Sequence, residues 1–528
     1  MASTANLRFR RSAGQLHALA GVEREIRTQD SHSRRKYLRE FSRAFRSYDS
    51  LVDSQQVRNA LQVADVVLIG DYHALPVAQR YAASLFEQRA LAGDRPVVLG
   101  VETIFARDQH ILDEWWRREI DETELRQRIR FDIDWGYDWA PFYELLLAAR
   151  DHGDAVYGLD CMPRENLRKI GARDRHAAAK IAEIHQYHPD AVIFVLFGES
   201  HLAPGHLPRV LQKQMPAART LTVLQNVDAL YWRAAGERVD KVDAVRIADN
   251  VLCVFNATPL EKYESYRQFL DQWSRCDSGP DFAPTIYNLI DSLAAFLEIN
   301  RYSPHNGTQP KFLVDMLPEV HGNPSDAMMR RLLLRKGIEG CQLENMLAGV
   351  EERGSSYLPQ VNAFFIREFH MMQAAEDATR FLHHACRGLP LRLNGHGIDG
   401  GQLRHTVPTM DAFYARMVEH AVAYFGSRVL YPSRPAPETE DAPALSRATC
   451  EKAAQAALRA DKKKFESIAQ DWGYRMGSQI YAAYLAGKAK PAGLRRLFLA
   501  HLEEPDSAHK VCTAVIARIR AVSRGARD

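Results

Sequence analysis

Hydrophobic and polar positions fall into two regimes along the chain. Short apolar runs recur at 64–69, 97–101, 155–159, 191–197, 219–224 and 251–255. Uninterrupted runs of this length predict strands buried on both faces, as in a parallel sheet. Between them, 76–92, 107–130, 139–152, 173–187 and 205–214 carry apolar residues at helical spacing. The alternation predicts an α/β fold: a mainly parallel sheet flanked by helices on both faces. After about residue 285 the strand-like runs stop. NLIDSLAAFLEI, MDAFYARMVEHAVAYF and KFESIAQDWGYRMGSQIYAAYLAG read as amphipathic helices. SPHNGTQP (303–310) and YPSRPAPETEDAPA (431–444) read as Pro-containing linkers or loops. The expected order is a basic helical segment over 1–62, an α/β domain over 63–284, and an all-helical C-terminal domain over 285–528.

Two of the predicted strands end alike. VADVVLIGDYHALP (63–76) and AVIFVLFGESHLAP (191–204) each run from an apolar stretch into Gly-x-x-His, presenting His73 and His201. The spacing alone is weak, since a third match, GQLH at 14–17, follows no strand. Context adds weight, because open α/β sheets bind ligands outside the carboxyl ends of their strands. PVVLGVETIF places Glu102 where the second strand leaves the sheet, and AVYGLDCMPR ends the third in Asp160 with Arg164 behind it. Asp71 and Asp160 also suit helix N-caps.

Two imidazoles and a carboxylate support a limited chemistry. His73, Glu102 and His201 can hold a divalent metal with positions open for water or substrate. Without a metal, one histidine can act as general base while the other polarises a carbonyl. A carboxylate at the edge of a buried sheet is costly unless paired. Arg80, Arg164 and Arg175 are its candidate partners, each near a strand's carboxyl end.

Charge and cysteines narrow the setting. The net charge of +3 implies no global field for nucleic acid or membrane. Residues 1–50 are locally basic, with eleven Lys/Arg against five Asp/Glu, a pattern of a solvated helix or of docking to an acidic partner. The seven cysteines include no CxxC pair, which fits reduced thiols better than a zinc knuckle or disulfide framework. The first residues lack a signal peptide's apolar core, and no window approaches a membrane span. A cytoplasmic location is the expectation.

In the helical part, EFHMMQAAEDATRFLHHAC offers His370, Glu376, His383, His384 and Cys386, with Glu376, Arg380 and His383 or His384 able to share a face. No matching carboxylate and Glu-x-x-His pairs on other helices suggest a di-iron site, so a polar helix face is expected. NGHGIDGG (394–401) follows no strand and reads as a loop, not a phosphate cradle.

From about 63 to 275 the chain resembles the ChaN-like haem-binding-uptake family, within the superfamily that includes the Tiki metalloproteases and erythromycin esterases. The resemblance runs in order through GDYHALPVAQRY, VETIFARDQHILDEWW, WGYDWAPFYELLLAARDHGDAVYGLDCMPRENL, RDRHAAAKIAEI and LFGESHLAPGHLPRVL. It implies an α/β fold whose cleft holds His73, Glu102 and His201. It also implies haem binding with a Tyr or His axial ligand, for which Tyr72 and Tyr137 are candidates, or hydrolysis of esters or amides as in the other branches. The lipoprotein members carry an export signal and lipidation cysteine that this sequence lacks, which argues against a surface uptake role. A third reading is an inactive interaction protein.

Overall fold

The computed structural model of the chain describes residues 13–30, 36–161, 170–237, 242–274, 281–299, 316–387, 409–437, 444–500, 502 and 506–524. It divides into two compact units, Glu23–Cys276 and Met1–Val22 with Asp277–Asp528.

The first unit is built on an eight-stranded sheet. Its strands are β1 (Ser50–Val52), β2 (Val66–Asp71), β3 (Val97–Phe105), β4 (Ala155–Asp160), β5 (Val192–Gly198), β6 (Thr220–Gln225), β7 (Ala244–Ala248) and β8 (Val251–Val254), in the order β1-β7-β8-β6-β2-β5-β3-β4. From β8 to β4 every pairing is parallel, as the apolar runs predict. The antiparallel edge strands β1 and β7 are additions to that expectation. The alternation of side chains across a strand feeds two cores. Val67 and Ile69 of β2 and Phe194 and Leu196 of β5 pack on one face, while Val66, Leu68, Ile193, Val195 and Phe197 pack on the other.

Two local differences from the pattern matter. The helix expected over 107–130 is broken into Gln109–Trp116, Glu122–Arg128 and Phe131–Asp134. Arg118 (φ 63°) and Arg130 (φ 56°) adopt the left-handed conformation that ends a right-handed helix. Asp121 starts the second piece by accepting from the Glu124 N–H at 2.9 Å. β3 continues past residue 101, with an irregular register against β4 between Val101 and Phe105. Glu102 therefore lies inside β3, at a bulge of the kind that re-aims a side chain.

The second unit is mainly helical. Its helix Met410–Leu430 packs against Lys462–Leu485, where Gly473 and Gly477 face the backbone of residues 417–421 closely enough that a Cβ would collide. A small sheet of β9 (Glu319–Gly322), β10 (Ser355–Leu358) and β11 (Ala363–Ile366) also forms here, in the order β10-β11-β9. Four-residue strands give too short a run for hydrophobic periodicity to reveal them.

The 371–387 helix carries a buried charge network, and among the described residues none of its side chains joins a group arranged to hold a metal ion. Glu376 accepts from Arg380 and from the Tyr474 hydroxyl (2.7 Å), and pairs with Arg434 at 2.7 Å. The Arg434 guanidinium lies between the rings of Tyr424 (4.4 Å) and Tyr474 (4.7 Å). Residues 431–437 are thus anchored in the helices at Arg434, where the sequence suggests only a loop. His383 and Cys386 are buried, whereas His370 is exposed beside Glu368. NGHGIDGG and SPHNGTQP lie outside the described residues.

Candidate functional site

The two Gly-x-x-His segments meet because β2 and β5 are neighbours in parallel register, with Asp71 opposite Gly198. Each strand then releases its chain at the same edge, so His73 and His201 face a common space. Glu102 reaches that space from the β3 bulge. Its oxygens stand 3.8 Å from the Nε2 of His73 and 3.8 Å from the Nε2 of His201. The Gly198 backbone forms the floor, and its N–H donates to Glu102 Oε2.

Each imidazole is held from behind by its own carboxylate. His73 Nδ1 bonds Asp71 Oδ2 at 2.6 Å, and His201 Nδ1 bonds Asp174 Oδ1 at 2.6 Å. A carboxylate accepts, so Nδ1 donates in each bond and Nε2 faces the cavity. Asp71, which also suits an N-cap by sequence, instead accepts from His73 and the buried Gln79 amide.

Arg173 closes the constellation. Its guanidinium donates to Glu102 and, through Nε (3.0 Å) and a terminal nitrogen (2.7 Å), to Asp160. Burial raises the Glu102 pKa, but the Arg173 charge, the two imidazoles and the Gly198 N–H outweigh it and hold the carboxyl below its usual range. Burial alone would lower the Arg173 pKa; Glu102 and Asp160 reverse that and keep it charged.

The expected arginines are placed elsewhere. Arg80 pairs with Glu144 at 2.9 Å, both half-exposed, and does not line the cavity. Arg175 is also outside the lining, and Arg164 lies outside the described residues. The group that sequence reasoning missed is Arg173–Asp174, within the quoted segment RDRHAAAKIAEI. Both sit on the Ile170–Tyr187 helix, and only its rotation about its own axis tells Arg173 from Arg175.

The space in front of these groups is a cavity of about 660 Å³, within the ~300–1,000 Å³ usual for small-molecule sites. Its polar floor holds Asp71, His73, Glu102, Arg173 and His201; its walls include Phe41, Trp135, Tyr137, Tyr266 and Phe269. The His73 ring meets Trp135 edge-on at 5.3 Å, and Tyr137 stacks on Phe269 at 4.2 Å. On the far side Lys262 bonds both oxygens of Glu199 at 2.9 Å and lies over the Tyr72 ring. Burial pushes the Tyr72 hydroxyl well above its ordinary pKa, with Tyr263 and Glu199 adding to the shift, so the residue stays a phenol.

Residues 57–174 match the family model described as haem-binding uptake, Tiki superfamily, ChaN. This segment of the α/β unit is therefore similar to ChaN-like proteins. The matched segment contains His73, Glu102, Asp160, Arg173 and Asp174, while His201 follows it. Among solved structures, a chain described as "cofacial heme binding to ChaN of Campylobacter jejuni" is similar at 13% identity and a TM-score of 0.26, over 33% of this chain and 86% of that one. No curated protein matches the chain.

Among the described residues no group of three or more His, Cys, Asp or Glu side chains is arranged to hold a metal ion. Arg173 already puts a positive charge on the Glu102 oxygen that such an ion would need. The aromatic walls leave room for a large planar group, and His73 Nε2 faces the same space. Among the described residues, no helix is long and apolar enough to cross a membrane.

Gly198 is the tightest point of the site. A Cβ there would lie 3.0 Å from Glu102 Oε2 and 3.4 Å from His73 Nε2. Gly198→Ala should therefore cost ~1–3 kcal/mol, the usual penalty of overpacking, and push Glu102 off the backbone N–H. Denaturant melts of the two proteins check this; equal midpoints and slopes would mean that the floor has room.

Proposed function

We propose that the α/β unit binds haem in this cavity, where His73 would hold its iron. The observation that carries the reading is the His73–Asp71 bond, which fixes the ring and turns Nε2 toward an aromatic-walled space. Trp135, Tyr137 and Phe269 would flank the macrocycle. Tyr72 suits the axial role poorly, since a tyrosine ligand binds as phenolate and this hydroxyl is held protonated. When bound, haem supplies a redox-active iron. The protein's own part is to hold the imidazole, exclude water with aromatic side chains, and keep Glu102 ionised against Arg173.

Titration of the full chain with haemin tests this. A Soret band that saturates is expected, with affinity at least about tenfold weaker (~1.4 kcal/mol) in His73→Ala and near wild type in Tyr72→Phe. Absence of a saturable band, or a band indifferent to His73, would remove the proposal.

A second reading, hydrolysis of an ester or amide without a metal, is favoured by one further observation. The site holds two His–Asp pairs where haem ligation uses one. A histidine oriented by a carboxylate is a general base, and Arg173 is a cation able to face a developing oxyanion. Turnover of a p-nitrophenyl ester that is lost in His201→Ala would favour this reading over the first.

A further inference from the structure

The Lys36–Ala44 helix has two unlike faces. Tyr37, Leu38, Phe41 and Phe45 line the cavity, and the Phe41 and Phe45 rings meet edge-on at 5.0 Å. Lys36, Arg39 and Arg43 fall on the opposite side at three- and four-residue spacing, and Arg46 follows just past the helix end. All four are exposed. Among the described residues, Arg39, Arg43 and Arg46 have no carboxylate partner. Glu40, the single acid of the helix, turns away from the stripe: its Oε2 lies 3.2 Å from His206 Nε2, while Lys36 stands 3.6 Å from its other oxygen. Arg34 and Arg35 come directly before the helix in sequence, which makes six Lys/Arg against one acid over 34–46.

We propose that this outer face docks the α/β unit on an anionic lipid bilayer. A run of about four to eight basic side chains on an amphipathic helix is the pattern that anionic headgroups attract. A merely solvated helix face usually interleaves both signs of charge, whereas this stripe is cationic and largely unpaired. A bilayer offers a plane of charge and needs no shaped partner. The face is built that way, because none of the large apolar side chains exposed among the described residues lies on it. An acidic protein would lack its anchor here, since protein interfaces draw most of their affinity from a few buried aromatic or arginine contacts in fitted pockets. Single-stranded nucleic acid would lack stacking platforms, since Tyr37, Phe41 and Phe45 are turned to the cavity. Docking through this face leaves one helix diameter, ~10 Å, between headgroups and cavity.

Co-sedimentation of the full chain with vesicles tests the proposal. It uses neither haem nor ester, so its failure leaves haem binding untouched. Vesicles of phosphatidylcholine and phosphatidylglycerol should carry the protein down at low salt; vesicles of phosphatidylcholine alone should not, and high salt should release it. Each basic side chain near such a surface contributes about fivefold, so Arg39→Gln/Arg43→Gln/Arg46→Gln should weaken binding at least about tenfold. The melting temperature should stay where it is. Arg39→Lys/Arg43→Lys/Arg46→Lys keeps the charge and should bind like the wild type. Arg58→Gln/Arg117→Gln/Arg126→Gln removes the same charge from helices that pack on the other face of the sheet, and should also stay near wild type. No binding to the anionic vesicles, equal binding to the neutral ones, or no loss in the first glutamine variant would overturn the proposal. Retention on polyglutamate or duplex DNA without vesicle binding would overturn it too, and would reassign the face to an acidic protein or to nucleic acid.

Discussion

Arg173→Met should destabilise the α/β unit by about 3–5 kcal/mol, the usual loss when one partner of a buried ion pair is removed. Methionine keeps much of the side-chain volume, so the loss reports charge more than packing. The reason is that Arg173 neutralises two carboxylates at once: Glu102 and Asp160 are both nearly fully buried, and the guanidinium bonds each. Without it, at least one must take up a proton or leave the interior. The pH dependence follows from the sign of the Glu102 shift. Its folded-state pKa is depressed, so the stability it contributes is complete above the ordinary glutamate range and fades as pH falls toward the depressed value. In Arg173→Met that acid-side contribution vanishes, and acid unfolding begins at a higher pH. Urea melts at neutral pH and across the acid range check both halves; a neutral-pH loss under ~1 kcal/mol would mean that the pair is solvated. An Arg173→Lys variant should recover only part of the loss, because an ammonium cannot present a planar fork to two carboxylates.

Glu376→Ala should be the costliest single change in the helical unit, again by ~3–5 kcal/mol. The carboxylate gathers Arg380, Arg434 and the Tyr474 hydroxyl. Burial pushes its pKa up, yet the two guanidiniums and the hydroxyl outweigh burial and bring it down to about 2. Alanine would leave two buried cations without their shared anion. It would also loosen Arg434 from between its tyrosines and with it the start of the 431–437 segment. Glu376→Gln retains an acceptor oxygen and should lose less. Calorimetry of the full chain reads the effect as a lower melting temperature of the transition that Arg434→Ala also moves; a transition that moves in neither variant would show that the network contributes nothing net.

What the sequence disclosed depended on how local each determinant was. β2, β3, β5 and β6 are strands whose apolar residues fill both faces, and an uninterrupted run marks them without reference to neighbours. β7 is only five residues long and includes Arg246, and β1 has three residues, so neither leaves such a run. His73, Glu102 and His201 were legible because each follows or interrupts a readable strand. Arg173 and Asp174 were not, because RDRH offers four polar residues in a row and the docking of the helix selects among them. Glu40 and His206 were hidden for a related reason. Glu40 sits on the Lys36–Ala44 helix and His206 at the start of the Leu207–Gln214 helix, and only the tertiary fold brings their side chains to 3.2 Å. Arg434 was masked by its prolines, which signal a loop regardless of what one side chain in it does.

The register that sets Asp71 beside Gly198 also fixes when this site can exist during synthesis. β2 emerges from the ribosome long before β5, and a strand destined for the middle of a sheet has neither neighbour at that time. Until residue 198 is available, the GDYH segment has no floor, Glu102 has no backbone donor, and the apolar faces of β2 and β3 have no strand between them. Folding of the unit must wait for that distant pairing, with the loop-closure cost that slows folds rich in non-local contacts. The newly made N-terminal third is therefore the stretch most exposed to aggregation or to early capture of a ligand by incomplete side chains.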